Sequence, residues 1–362
     1  MSALAEVLAR EIAAAGPIPV ARFMELALAH PEHGYYTTRD PLGAGGDFVT
    51  APEVSQMFGE LIGAWAAVTW EAMGRPRPFV LAELGPGRGT LMADALRAAR
   101  ARPDFAEAAR LHLVETSPVL RARQATTLAT HGPRWHAGFE DLPAGPLILV
   151  ANEFFDALPV RQFQRAARGW AERLVAAEAD GAFRFALSAP LAADALPAGL
   201  PAGASAGTIA EVSPARDALA DAVARRLARS GGAALIIDYG HAVAAAGETL
   251  QAVSRHRFAD PLADPGAADL TAHVDFAALA RAARAAGGAV CGPVSQGRFL
   301  RALGIAHRAA SLAAGKDAAT AEAIGAALRR LIAPSEMGNL FKVLALAHPG
   351  LAPLPGFEPE TP

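Results

Sequence analysis

The segment "ELGPGRG", residues 83–89, sets Gly85, Gly87 and Gly89 at alternate positions directly behind the apolar run "FVLA". A strand that turns into a helix leaves free backbone N–H groups at the helix start, and glycine permits both the sharp turn and the close approach of a ligand. The chemistry implied is capture of a ligand by bare backbone. Spacing narrows the choice of ligand. Dinucleotide loops place the third glycine three residues after the second, whereas Gly89 follows Gly87 by two and Glu83 precedes Gly85 by two.

That pattern fits S-adenosyl-L-methionine (SAM) better than NAD. SAM carries no pyrophosphate; it presents a ribose diol, an amino-acid end and a sulfonium. The diol needs an acceptor at the end of the next strand, and Glu115, closing "LHLVE", is the candidate. It lies further on than the roughly 20 residues usual in dinucleotide folds, so a longer first helix or a loop around "RPDF" must intervene. Phe139 in "AGFEDLP" follows the next strand, where an adenine would be read. The cofactor set is therefore Glu83, Gly85, Gly87, Gly89, Glu115 and Phe139.

Reacting groups gather beyond the carboxyl ends of the strands in open α/β sheets. "ILVANEFFDALP" puts Asn152, Glu153 and Asp156 at such an end, and "IIDYG" adds Asp238. Methyl transfer from a sulfonium requires a lone pair on the acceptor, which a carboxylate at this edge can free by orienting the acceptor and accepting its proton. Glu153 is the first choice for that role. Asp156 has two readings, substrate contact and turn capping ahead of Leu158 and Pro159. Asn152 has likewise a chemical reading and one as a loop brace.

Placing these residues requires strands and helices in alternation. "FVLAEL", "LHLVE", "PLILVANEFF" and "AALIIDYG" read as buried strands, separated by helical segments, and this rhythm predicts a parallel sheet with right-handed crossovers. The expected fold class is α/β: a Rossmann-like core with an N-terminal helical cap and an inserted and C-terminal α+β substrate region. Residues 1–74 form the helical cap, 75–160 the first part of the core, 161–214 an insertion of antiparallel strands and a Pro/Ala/Gly loop, 215–350 the rest of the sheet, and 351–362 a tail. A long helix opened at Pro52 carries Phe58, Leu61, Ile62, Trp65 and Val68 as one core stripe. The loop "PLGAGGDFVT" before it, with Asp47, either closes over the cofactor or caps that helix.

Hydrophobic residues make up 52% of the chain and charged ones 19%, the balance of an ordered protein with a large core. A net charge of −3 offers nothing global to nucleic acid. The apolar run "LIGAWAAVTW" is too short to span a bilayer, and the N-terminus reads as an amphipathic helix without a targeting leader. A single cysteine, Cys291, and no leader fit a cytoplasmic protein. The string His256, Asp260, Asp264, Asp269, His273 and Asp275 has no metal-ligand spacing, and its Pro and Gly neighbours mark the aspartates as turn formers, so no metal is expected.

The chain resembles the MidA family of SAM-dependent methyltransferases. The resemblance rests on "HPEHGYYT", "GDFVTAPEVSQMFGE", "ELGPGRGTLMADALR", "ANEFFDALPVRQF", "IIDYGH", "DPLADPGAADLTAHVDF" and "MGNLFKVL", in that order across nearly the whole sequence. It implies a Rossmann-like methyltransferase with a helical cap and, for mitochondrial members, dimethylation of an arginine in a subunit of respiratory NADH dehydrogenase (complex I). Within 165–208 no family string occurs, and substrate choice and a homodimer contact are both assignable there. Two other readings stand beside a protein arginine methyltransferase: a small-molecule N- or O-methyltransferase, and a SAM-binding assembly chaperone without turnover.

Overall fold

A computed structural model of the chain describes residues 2–39, 43, 49–254, 256–351 and 353–358. The main sheet is built from β1 (Phe79–Leu84), β2 (Ala109–Val114), β3 (Arg134–His136), β4 (Leu147–Asn152), β5 (Gly232–His241), β6 (Ala289–Ser295) and β7 (Phe341–Ala347). Their order across the sheet is β6-β7-β5-β4-β1-β2-β3, with Val274–Asp275 added at the end of β5. β7 alone runs antiparallel to its neighbours. From β1 the chain moves outward to β2 and β3, then returns to β4 on the other side of β1. The carboxyl ends of β1 and β4 therefore flank a topological switch point, where such sheets open a ligand crevice.

The helices that matter for the site are α1 (Ala3–Ala15), α2 (Val20–Ala29), α3 (Gln56–Ala72), α4 (Thr90–Ala99), α5 (Pro118–Thr127), α6 (Pro214–Ser230) and α7 (Phe276–Ala285). Successive strand residues point to opposite faces, and the central strands are apolar on both. Leu81, Ile148, Val150, Leu235 and Ile237 pack with α3 and α4. Val80, Ala82, Leu149, Ile236 and Leu344 pack with α6 and α7. The extra length between Gly89 and Glu115 is α4 followed by a short helix, Pro103–Ala108.

Residues 161–212 contribute four strands to an antiparallel sheet, Arg161–Ala166, Gly169–Ala177, Phe183–Pro190 and Ile209–Val212, and Ile18–Pro19 joins its edge against Gly169–Ala177. This pairing divides the N-terminal stretch. α1 and α2 pack through Leu4, Leu8, Phe23 and Met24 against Val160 and Val175 of that sheet and against Leu250 and Leu270. α3 instead lies in the helical layer of the main sheet. Residues 1–74 are thus two bodies rather than one cap, because α3 is apolar nearly all round and only the main-sheet layer can bury it. Val68, expected on its core stripe, is exposed. Among the described residues no helix is long and apolar enough to cross a membrane.

Candidate active site

The turn after β1 is left-handed at three points, with φ of +59° at Gly85, +55° at Gly87 and +81° at Gly89. L side chains are disfavoured in that region. At Gly85 space is also limiting, since a Cβ would lie 2.7 Å from Cδ2 of Phe154. Gly85 and Gly87 line a cavity of about 360 Å³ at the carboxyl ends of β1, β2 and β4, whereas Gly89 does not. Gly89 immediately precedes α4, and a Cβ there would press on Leu128 at 3.1 Å. It serves helix entry and packing, which corrects its assignment to the ligand surface.

Glu83 is the last-but-one residue of β1 and only 3% exposed. It lines the cavity, and its Oε2 has no hydrogen-bond partner among the described residues. Burial pushes its pKa up to about 8. A buried carboxylate oxygen short of a donor is a costly group, and a ligand amino group is a donor that would satisfy it.

Glu115 follows β2 on the same wall. Ser117 N donates to its Oε1 at 2.8 Å and Gln124 Nε2 to its Oε2 at 3.1 Å. Burial raises its pKa, while these bonds favour the ionised form. Each oxygen retains a lone pair for a ribose hydroxyl. Gln124, fully buried on α5, also donates to Gly87 O at 2.8 Å and accepts from Trp135 Nε1 at 2.8 Å. One side chain therefore ties the glycine turn to the carboxylate beside it. Phe139 closes the same wall with Leu84, Val114 and Leu158. The cavity offers backbone, an unpaired buried acid, a second acid on the adjacent strand and an apolar slot, a set that fits the amino group, ribose and adenine of SAM.

At the end of β4, Asn152 and Glu153 complete the cavity. Glu153 has φ of +51° and its N–H donates to Ile237 O at 2.9 Å. Its Oε1 accepts from Ala51 N at 2.9 Å and from Asn152 Nδ2 at 3.1 Å. Burial lifts its pKa to about 7. Asn152 Oδ1 is buried with no partner.

The other two expected catalytic acids lie behind this wall, and neither lines the cavity. Asp238 is fully buried; its Oδ2 accepts from Phe154 N at 3.2 Å and Asp156 N at 3.1 Å, and its Oδ1 from Tyr239 N at 2.9 Å. Asp156 accepts from Ala157 N at 2.9 Å and is hydrogen-bonded to Tyr239. Both are braces of the loop that presents Glu153, because backbone donors consume their oxygens. The turn-capping reading of Asp156 is the one its contacts match. Arg216 of α6 completes the brace, donating to Phe155 O at 2.7 Å, Asp156 O at 2.9 Å, Ala272 O at 2.9 Å and His273 O at 2.7 Å.

Sequence reasoning missed Glu53, Tyr36 and Thr90 on the cavity wall, and Gln124 and Arg216 behind it. Glu53 sits in the quoted string "APEVSQ", but read locally it is one more acid after a proline. Asp47 and most of its loop lie outside the described residues. Among the described residues no group of three or more His, Cys, Asp and Glu is placed to hold a metal. Asp269 of the suspected string accepts instead from Tyr36 Oη at 2.8 Å.

A sheet of this order, with a ligand cavity at its switch point and an acid at the carboxyl end of each of the first two strands, defines a nucleoside-binding Rossmann-like methyltransferase. The family model described as an S-adenosyl-L-methionine-dependent methyltransferase matches residues 61–294. The mitochondrial protein arginine methyltransferase NDUFAF7 homolog of Drosophila melanogaster is 39% identical over 80% of this chain and 71% of its own length. Human mitochondrial protein arginine methyltransferase NDUFAF7 is 38% identical over 76% of this chain and 67% of its own. A Burkholderia thailandensis protein crystallised with S-adenosyl-homocysteine superposes with a TM-score of 0.86 at 36% identity, covering 98% of this chain and 94% of that one. The chain belongs to this family of SAM-dependent methyltransferases.

Proposed function

We propose that the protein transfers a methyl group from SAM to arginine side chains of a protein, an NADH dehydrogenase (complex I) subunit or a similar protein, in a cytoplasmic setting. The observation that carries the reading is the charge of the cavity. Among the described residues Glu53, Glu83, Glu115 and Glu153 line it against one cation, Arg88. Glu83 and Glu115 suit the cofactor, which leaves two acids for an acceptor that must then be cationic. The names of the mitochondrial relatives point the same way.

When bound, SAM supplies an electrophilic methyl group on sulfur. Glu153 would accept N–H bonds from the acceptor guanidinium and localise its charge, leaving one nitrogen able to form the new N–C bond. With a pKa of about 7 this carboxylate is substantially ionised at neutral pH yet basic enough to take the proton that nitrogen releases. The hydrogen bonds from Ala51 and Asn152 hold Oε1 in place, so the group is positioned before the acceptor arrives. Asp238 and Arg216 fix the loop that carries it.

The test is transfer of radiolabelled methyl to a cell lysate by the native protein and by Glu153→Gln. The expected result is label in protein that hydrolyses to methylarginine, SAM affinity retained in the variant, and a rate lower by about 10²- to 10⁴-fold, as for loss of a positioned proton acceptor. Label in a small molecule would select the small-molecule methyltransferase, and SAM binding with no label anywhere the assembly chaperone.

A further inference from the structure

We infer that Glu53 is a second acceptor-binding carboxylate, gripping the guanidinium together with Glu153; this rests on the arginine reading above. Glu53 lies in the short helical turn Ala51–Val54 and lines the cofactor cavity. Its segment is tied to the catalytic end of β4, since Ala51 N donates to Glu153 Oε1 at 2.9 Å. On its other side Thr90 Oγ1, at the start of α4, donates to Glu53 Oε1 at 2.6 Å. Two segments distant in sequence thus bring two acids to one cavity.

The donor count of the ligand requires more than Glu153 provides. A guanidinium carries five N–H donors in a plane, and one carboxylate satisfies a single edge of it. Glu153 Oε1 already takes two bonds from the protein. Glu53 forms no ion pair with a described residue, and among the described residues nothing donates to its Oε2. A second acceptor belongs to the same wall: Asn152, 7% exposed, lines the cavity, and its buried Oδ1 has no partner among the described residues. Glu153 Oε2, Glu53 Oε2 and Asn152 Oδ1 together supply acceptors for two edges of the plane. An ammonium, with three donors radiating from one point, matches that distribution less well. Glu53 is therefore a residue of acceptor specificity.

The competing role for Glu53 is to steady Thr90 and, through it, the cofactor turn. Glu53→Gln and Thr90→Val separate the two. SAM affinity is measured by calorimetry, and methyl transfer over a dilution series of lysate protein gives the half-saturating acceptor concentration. Glu53→Gln is expected to raise that concentration about tenfold to a hundredfold, the usual range for a lost bond to a charged group, with SAM affinity changed by less than about twofold. Thr90→Val, which loses the bond that holds Glu53 Oε1 but keeps the carboxylate, should raise that concentration less than Glu53→Gln does. A weakened SAM affinity with unchanged acceptor saturation in Glu53→Gln, or no change in either, overturns the inference while leaving the arginine reading intact. Native protein that labels no arginine, or full activity in Glu153→Gln, removes the arginine reading and this inference with it.

Discussion

Glu83 makes SAM binding a proton-linked event whose sign reverses with pH. In the free protein its pKa stands at about 8 because it is buried without a hydrogen-bond donor. At pH 7 about 0.9 of the molecules therefore hold the proton, and a ligand ammonium must displace it to form the charged pair. An α-amino group with a pKa of about 7.8 is itself about 0.85 protonated at that pH. The bound pair contains one proton, so binding should release roughly 0.8 proton at pH 7 and take up roughly 0.8 at pH 9. The product of the two required ionisation states makes affinity greatest close to pH 8 and about twentyfold weaker at pH 6. Calorimetry in buffers of different ionisation enthalpy measures the proton count directly.

Glu83→Gln removes the carboxyl titration. The release at pH 7 should vanish, leaving an uptake of about 0.1 proton from the ligand amine alone. The same substitution bears on stability. Because the folded pKa is raised, the ionisable Glu83 costs nothing below the unfolded value near 4.5 and a growing amount as pH rises from there to about 8. The ligand-free variant should accordingly gain stability relative to the native protein over that window. Proton release at pH 7 that persists in Glu83→Gln, or an affinity flat from pH 6 to 8, would refute the assignment of this carboxylate to the cofactor amine.

At Gly87, φ of +55° is a conformation that a β-branched residue avoids; Gly87→Val should weaken SAM binding by tenfold or more on the order of 1–3 kcal/mol of strain alone, read by calorimetry on protein shown to be folded by circular dichroism. Glu115→Gln should cost about 1.5–3 kcal/mol of SAM affinity, the scale for a lost bond to a charged group, and should cost less for methionine, which lacks the ribose. Gln124→Ala leaves Gly87 O and Trp135 Nε1 without their bonds and should lower unfolding free energy by about 1–3 kcal/mol per unsatisfied group while also weakening SAM; chemical denaturation and calorimetry measure the two effects.

The central strands of the sheet were legible because each carries a short apolar run buried on both faces, and the helices between them because their caps are local. Ser117 accepts from Leu120 N and Asp275 from Ala278 N, each within the sequence window that predicts it. The division of residues 1–74 was not legible. It depends on Ile18–Pro19 pairing with Gly169–Ala177, a contact between segments some 150 residues apart in register, and nothing in a two-residue strand announces its partner.

The site divides along the same line. Glu83, Glu115 and Glu153 could be singled out because strand ends and glycine spacing locate them without knowledge of neighbours, and all three line one cavity. Asp156 and Asp238 stand at equivalent strand ends and have the same chemistry, so residue type and position could not set them apart from Glu153. What separates them is the use of their oxygens: three backbone N–H groups bind Asp238, whereas Glu153 keeps one oxygen without a protein donor. Glu53 and Gln124 act across the fold and were invisible for that reason. The resulting arrangement is one of graded satisfaction. Asp156 and Asp238, whose oxygens the protein's own donors occupy, form the frame, and Glu83 and Glu153, each with an oxygen to which no described residue donates, face the cavity. In the free protein Glu83 and Glu153 are held towards their protonated forms by burial, which limits their mutual repulsion before a cationic ligand binds. Cationic ligands then supply both the missing donors and the charge, and the same shortage that raises the pKa of Glu83 and Glu153 becomes selectivity for ligands that carry positive charge.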